Sequence, residues 1–197
     1  MHWDYAIYAV HGVFWGAFGI TRATLRGSDR AAEPSAPAPG SVQTAPYSRA
    51  LLGFHMLGFG VMYFGLGQAV LGGQVPEAFP LQRIIGALVI LAGAALMCWA
   101  LLYFRSWRFR AKLEVGHELA TDGPFRFVRH PIYLGLNLLA LGTALWVPSV
   151  LELFAVALLT LGSDLRARAE ERLLVQAFGE RYRAYKEQTK RFVPGLY

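Results

Sequence analysis

Residues 132–162 read IYLGLNLLALGTALWVPSVLELFAVALLTLG and decide the fold. One α-helical membrane span needs about 20 apolar residues. Ile132 to Gly162 is therefore too long for one span and short for two full ones. Proline disfavours a continuing helix. We therefore predict a helical hairpin that turns at Val147-Pro148-Ser149, whose arms are tilted little or extended by polar flanks.

Three further apolar runs precede this hairpin: Trp3 to Thr21, Ala50 to Gly73 and Leu81 to Phe104. Of the 197 residues, 55% are apolar and 16% are charged, which argues against an ordinary soluble domain. The sequence predicts an all-α integral membrane protein with five transmembrane helices. Residues 1–104 should hold three of them and a flexible cytoplasmic linker at 27–48, rich in Pro, Ala and Ser. Residues 105–197 should hold an interfacial loop, the hairpin and a cytoplasmic amphipathic helix.

The positive charges predict how the spans are oriented. Every Lys and Arg except Arg83 lies in one of three segments, at 22–49, 105–131 and 163–197. Cytoplasmic segments are enriched in Lys and Arg, so we expect all three on the cytoplasmic side of an inner or plasma membrane, with the N-terminus outside and the first span retained. Because these charges flank spans rather than a soluble recognition fold, we do not expect nucleic-acid binding.

Several polar residues fall inside the apolar runs. His11, His55 and Gln68 are predicted to form hydrogen bonds between helices, because burying them without partners is costly. Three histidines on separate elements, His11, His55 and His117, are a weak basis for a metal site, and we predict none. The pattern Gly12-x-x-x-Gly16 permits a close helix approach, although it is a weak signal.

The segment before the hairpin, GPFRFVRHPIY at 123–133, carries basic residues and two prolines. Gly123-Pro124 predicts a turn, and Pro131 suits the first position of a helix. His130 then lies near the N-cap, after Arg129. The free N–H groups and positive end of this helix favour an anion.

Beyond the hairpin, Arg166 and Glu170 are four positions apart and should share one face of a helix. Alone, they would suggest only a surface ion pair. A hairpin, however, brings its outer ends together, which predicts one cluster of Arg129, His130, Tyr133, Arg166, Glu170 and Glu171. Such a cluster of both charge signs could hold a charged, water-soluble cofactor while the helices offer a lipid-like substrate.

Two motifs in this region, HELATDGPFRFVRHPIY (117–133) and RARAEERLLVQAFGERYRAY (166–185), resemble the isoprenylcysteine carboxyl methyltransferase family and the related phospholipid methyltransferases. The likeness covers roughly residues 105–194. It implies an integral membrane enzyme that transfers a methyl group from S-adenosylmethionine to a lipophilic acceptor reached from the bilayer. It makes 105–197 the catalytic region.

The resemblance also implies the site residues. Arg166 falls on the acceptor side, and Arg166 and Glu170 are the predicted catalytic residues. The predicted cofactor contacts are His117, Glu118, Leu119, Ala120, Phe125, Arg129, His130, Pro131, Ile132, Tyr133, Glu170 and Glu171. The family usually has tyrosine where this chain has Phe125, so a hydroxyl hydrogen bond is lost there.

The sequence leaves open two acceptor chemistries and two rival functions. A carboxylate acceptor needs no general base, and Arg166 would orient it. An amine or phenol acceptor would need His130 or a glutamate as base. An NADPH-dependent membrane reductase of the sterol reductase type, or a non-catalytic membrane scaffold, are the rival functions.

Overall fold

The computed structural model of the chain describes residues 3–31, 43–44, 47–73, 75–76, 78–103, 112–113 and 119–197. The described residues form six α-helices: α1 (Ala6–Ala31), α2 (Ser48–Leu71), α3 (Pro80–Tyr103), α4 (Pro131–Trp146), α5 (Val150–Phe178) and α6 (Glu180–Gln188). Two-residue strands β1 (Gln43–Thr44) and β2 (Lys112–Leu113) pair antiparallel. The predicted all-α fold is confirmed, with this short ladder as an addition.

Two of the helices fit a membrane by length and composition. Helices α2 and α3 have 24 residues each and are apolar enough to cross a bilayer, whereas the apolar α4 has 16 residues. Helix α1 continues to Ala31, beyond the span end predicted at Thr21 and into the segment predicted as a linker. The count of five spans, their orientation and the division of the chain at 104 stay predictions.

Helices α3 and α4 pack closely through glycines spaced seven residues apart. A Cβ on Gly93 would lie 2.7 Å from the carbonyl oxygen of Gly135, and a Cβ on Gly86 would lie 2.7 Å from that of Gly142. Small residues of this kind let two helix backbones approach each other in lipid. The α3–α4 contact therefore depends on these four glycines.

The glycine pattern singled out in the first run has no such neighbour. A Cβ on Gly12 or on Gly16 would meet no described atom within 4 Å. Among the described residues, Gly12 and Gly16 therefore bring no other helix close to α1. The close approach lies between α3 and α4.

The predicted hairpin is confirmed. Helices α4 and α5 are joined by residues 147–149, and Ser149 caps α5 by accepting a hydrogen bond from the backbone N–H of Glu152 at 3.2 Å. Helix α5 continues unbroken to Phe178, so the second arm extends into the polar segment as the sequence predicts. Gly58 of α2 packs against Leu159 of α5.

The two ends of the helix bundle differ in their polar groups. At one end Arg83 pairs with Asp4 at 2.9 Å, and Ile7 packs in a cluster with Leu66 and Val147 near the hairpin turn. The outer ends of the hairpin lie at the opposite end, which we call the site end. The polar residues predicted as a cluster lie there.

Candidate functional site

The first turn of α4 and the middle of α5 meet at the site end. The Tyr133 hydroxyl donates a hydrogen bond to Glu170 Oε1, and His130 Nδ1 lies 3.7 Å from Glu170 Oε2. The Arg166 guanidinium carbon lies 5.0 Å from the centre of the Tyr133 ring, a cation–π distance. The hairpin thus brings these residues together, and their roles in binding stay predictions.

The N-terminus of α4 has the predicted form. His130 is the N-cap residue and Pro131 is the first helical residue. Gly123 adopts a φ of +58° at the start of a short 3₁₀ helix, Gly123–Arg126, a conformation that favours glycine. The predicted turn and helix start are confirmed.

The backbone N–H groups before this helix are already used. Arg129 N–H donates to the carbonyl of Lys190 at 2.8 Å, and His130 N–H donates to the carbonyl of Arg191 at 3.2 Å. These two groups are therefore not available to an anion while the C-terminal segment, residues 189–197, stays in place. Pro131 has no N–H, so the donors left in the first turn are those of Ile132 and Tyr133.

Glu171 ties this region to the C-terminus. Arg191 holds both of its carboxylate oxygens at 3.0 Å, Arg129 Nη2 lies 3.0 Å from Oε1, and Lys186 Nζ lies 3.2 Å from Oε2. The Glu171 side chain is 3% exposed. Burial opposes its ionisation, but contacts with His130, Arg191 and Arg129 outweigh burial and hold the pKa of Glu171 well below its usual range.

Arg129 is committed to the same network. Its guanidinium donates to Glu171, to the carbonyl of Lys186 at 3.0 Å and to the carbonyl of Thr189. These contacts fasten the segment before α4 to the end of α6 and to the residue that follows it. The predicted contact of Arg129 or Glu171 with a cofactor would compete with these internal pairs.

The two adjacent glutamates therefore differ. The Glu170 side chain is 24% exposed, against 3% for Glu171. The Glu170 carboxylate accepts a hydrogen bond from the Tyr133 hydroxyl and lies at a longer distance from His130. Glu170 is the better placed of the two to face a ligand.

The C-terminal segment was missed by the sequence analysis. Arg191 joins Glu171 to Asp164, which it meets at 2.8 Å, and the Tyr197 hydroxyl donates to Asp164 at 2.9 Å. Burial opposes ionisation of Asp164, but Arg168, Tyr197 and Arg191 outweigh it and lower its pKa. No periodic pattern marks this segment, and Lys190 and Arg191 indicate only a share of the cytoplasmic charge at 163–197.

Other predicted contact residues pack in the protein interior. Phe125 and Ile132 are buried in the main hydrophobic cluster, Ala120 packs against it, and Leu119 is 9% exposed. The carbonyl of Phe125 accepts a hydrogen bond from the Tyr185 hydroxyl at 2.7 Å. The predicted contacts His117 and Glu118 lie outside the described residues.

The three polar residues of the apolar runs, His11, His55 and Gln68, differ in their surroundings and hydrogen bonds. His11 bonds Tyr63 at 3.1 Å and Thr143 at 3.0 Å, which confirms its predicted bonds between helices. Gln68 is exposed. His55 is 0% exposed, and neither ring nitrogen has a hydrogen-bond partner among the described residues, so its predicted bond is absent there.

His55 lies beside the site rather than away from it. Its ring stacks on Phe59 at 5.4 Å and lies 6.1 Å from the ring of Tyr133, while His130 stacks on Tyr133 at 5.8 Å. The sequence predicts only a hydrogen bond between helices for His55, not a place beside the site. A histidine at membrane depth was the available signal.

The described residues contain no group of three His, Cys, Asp or Glu side chains that could hold a metal ion. The arrangement instead offers a carboxylate, an imidazole, a phenol and a guanidinium around one point. Such a set suits a small organic ligand that carries both charge signs.

Comparison with known proteins places the same region in a family. The model of the phospholipid methyltransferase family matches residues 81–181. Protein-S-isoprenylcysteine O-methyltransferase of Schizosaccharomyces pombe is 35% identical over 86 residues, which is 43% of this chain and 36% of the relative. The protein of the same name from Saccharomyces cerevisiae is 36% identical over 87 residues, which is 43% of this chain and 36% of the relative.

A bacterial relative is similar over a shorter stretch. Methanethiol S-methyltransferase 1 of Bradyrhizobium diazoefficiens is 36% identical over 73 residues, which is 36% of this chain and 24% of the relative. The matches thus span about a third or less of the length of these curated relatives.

Proposed function

Because the chain belongs to the phospholipid methyltransferase family, we propose that it is a membrane methyltransferase that uses S-adenosylmethionine and methylates a lipophilic acceptor. The curated relatives are all named methyltransferases. The observation that carries the proposal is the meeting of Tyr133, Glu170 and Arg166 at one end of a bundle of apolar helices.

The residues at the site end fit the proposed donor. S-adenosylmethionine carries a sulfonium, an ammonium and a carboxylate, and supplies an activated methyl group. Glu170 is partly exposed and can receive the ammonium or the ribose. His130 and the N–H groups of Ile132 and Tyr133, at the positive end of α4, can face the carboxylate.

The chain's residues would act mainly by alignment. Arg166, which is 6% exposed, can orient a carboxylate acceptor through paired hydrogen bonds. The Tyr133 hydroxyl bonds Glu170 on the donor side, and the Tyr133 ring contacts Arg166 on the acceptor side. Tyr133 therefore links the two sides of the site. Fixed geometry of this kind can supply much of the acceleration of an in-line transfer.

The location of this site follows from the proposal. We place the site end at the cytoplasmic face of an inner or plasma membrane, because the basic segments 105–131 and 163–197 should lie on that side. The chain would cross this membrane five times, with membrane lipids around its spans. The acceptor would then enter from the bilayer, and the charged donor from the cytoplasm.

The relatives' names suggest two acceptor chemistries to test. Two relatives are named for isoprenylcysteine O-methylation and one for methanethiol S-methylation. The protein in detergent would be incubated with methyl-labelled S-adenosylmethionine and either S-farnesylcysteine, which offers a carboxylate, or methanethiol. We expect label in one of the two products.

The experiment also separates the rivals. Arg166→Ala should reduce transfer more than it reduces binding of S-adenosylmethionine, and an equal loss of both would contradict its acceptor role. Binding of NADPH in place of S-adenosylmethionine would favour a reductase. Binding of neither would leave the non-catalytic scaffold.

A further inference from the structure

His55 of α2 is a buried polar side chain beside the site that the proposed mechanism does not yet use. It is 0% exposed, and neither ring nitrogen has a hydrogen-bond partner among the described residues. Buried polar groups are nearly always hydrogen-bonded, and an exception calls for an explanation. His11, a histidine on α1, shows the usual case, since both of its ring nitrogens are bonded.

The position of His55 supplies the explanation. Its ring lies 6.1 Å from the ring of Tyr133, and Tyr133 in turn holds Glu170 and lies under Arg166 at 5.0 Å. His55 therefore neighbours the same tyrosine ring that the predicted acceptor residue contacts.

Helix packing holds the imidazole in this position. Gly162 of α5 faces His55, and a Cβ on that glycine would lie 3.4 Å from the His55 Cα and from its ring. Phe59 stacks on the ring from one turn further along α2. The absence of a side chain at Gly162 lets α2 bring His55 against α5, four residues before Arg166.

We propose that His55 belongs to the acceptor side of the site, where one ring nitrogen hydrogen-bonds the reacting head group of the methyl acceptor beside Arg166. The inference rests on the proposed methyl transfer. It adds α2, which lies outside the family match at 81–181, to the elements that select the acceptor. The nitrogens are closed from solvent, so the acceptor reaches them when the packed rings move apart.

The test compares three variants with the wild-type protein in detergent. His55→Phe keeps an aromatic ring that can stack but removes both nitrogens. His55→Asn keeps an amide N–H group near the position of Nδ1, and His55→Gln keeps one near the position of Nε2. Affinity for S-adenosylmethionine is measured by calorimetry, and kcat and KM by labelled transfer to S-farnesylcysteine or methanethiol, whichever probe the wild type methylates.

We expect His55→Phe to lower kcat/KM for the acceptor at least tenfold while affinity for S-adenosylmethionine changes less than twofold. Either His55→Asn or His55→Gln should recover a large part of the loss. His11→Phe is the matched control, since it removes a buried histidine bonded to Tyr63 and Thr143. It should lower Tm and leave the acceptor KM unchanged.

Three results with the His55 variants would overturn the inference: normal transfer by His55→Phe, equal loss of acceptor turnover and S-adenosylmethionine affinity in His55→Phe, or no recovery by either amide variant. A wild-type protein that binds S-adenosylmethionine but methylates neither probe would overturn the proposed acceptor chemistry, and this inference with it. Those outcomes differ from failure of the proposed function itself, in which the wild type does not bind S-adenosylmethionine.

Discussion

Tyr133 and Glu170 are joined by a hydrogen bond from the tyrosine hydroxyl to the carboxylate, across 37 residues of chain. The bond links the first turn of α4 to α5, the two outer ends of the hairpin. It orients the glutamate that is most open to a ligand. Removing the hydroxyl should therefore affect ligand binding more than folding.

Tyr133→Phe tests this relationship. Hydrogen bonds to charged groups contribute about 1.5–3 kcal/mol, so we expect affinity for S-adenosylmethionine to fall roughly tenfold, which corresponds to about 1.4 kcal/mol. Calorimetry measures the affinity. Tyr63→Phe is the control, because the Tyr63 hydroxyl bonds His11. An equal effect of both variants would contradict the role given to Tyr133.

Glu171→Ala should destabilise the protein. The variant leaves Arg129, Arg191 and Lys186 without their shared carboxylate, and breaking a buried ion pair costs about 3–5 kcal/mol. Thermal unfolding in detergent should show a clearly lower Tm. Glu180→Ala removes an exposed pair with Arg183 and should change Tm little. A Tm of Glu171→Ala equal to that of the control would show that the network adds no stability.

The same carboxylate predicts a pH dependence. The pKa of Glu171 is lowered by folding, and that of an unfolded glutamate is about 4.3. The unfolded chain thus binds more protons, so this contribution is complete above about pH 5 and declines as the pH falls below about 4.3 towards the lowered folded pKa.

The Tm difference between the wild type and Glu171→Gln should therefore shrink as the pH is lowered from 7 towards 3. Both proteins keep Asp164, whose pKa is also lowered, so its contribution should largely cancel in the comparison. A difference that stays constant over this range would mean that ionisation of Glu171 does not stabilise the fold.

Gly93→Leu should disturb the α3–α4 contact. Even a Cβ there would lie 2.7 Å from the carbonyl oxygen of Gly135, so the helices must separate. Overpacking costs about 1–3 kcal/mol, and we expect a lower Tm in detergent. Gly16→Leu is the control, since a Cβ at Gly16 meets no described atom within 4 Å. A stable Gly93→Leu variant would contradict this packing.

The hairpin and its meeting ends could be predicted from the sequence. An apolar block of that length, interrupted at Pro148, has few other arrangements, and a hairpin necessarily brings Tyr133 near Glu170. The choice between Glu170 and Glu171 could not be made, because adjacent residues on a helix point about 100° apart and the pattern does not say which faces the ligand.

The C-terminal segment and the helix contacts were less predictable. Arg191 reaches Glu171 because the chain after α6 folds back along Arg129, a path set by tertiary contacts rather than by a local pattern. The glycines that bring α3 to α4 are spaced by seven rather than four residues, and their partners lie on another helix. For His55 the sequence predicts only a hydrogen bond between helices, because no second ligand or carboxylate lies at helical spacing from it.

Binding of S-adenosylmethionine is the most direct test of the proposed function. Calorimetry on the purified protein in detergent should show saturable binding, and Glu170→Gln should weaken that binding at least tenfold with an unchanged Tm. His130→Ala should weaken it as well. No binding to the wild-type protein would contradict the proposed function. An affinity in both variants equal to that of the wild type would contradict the site.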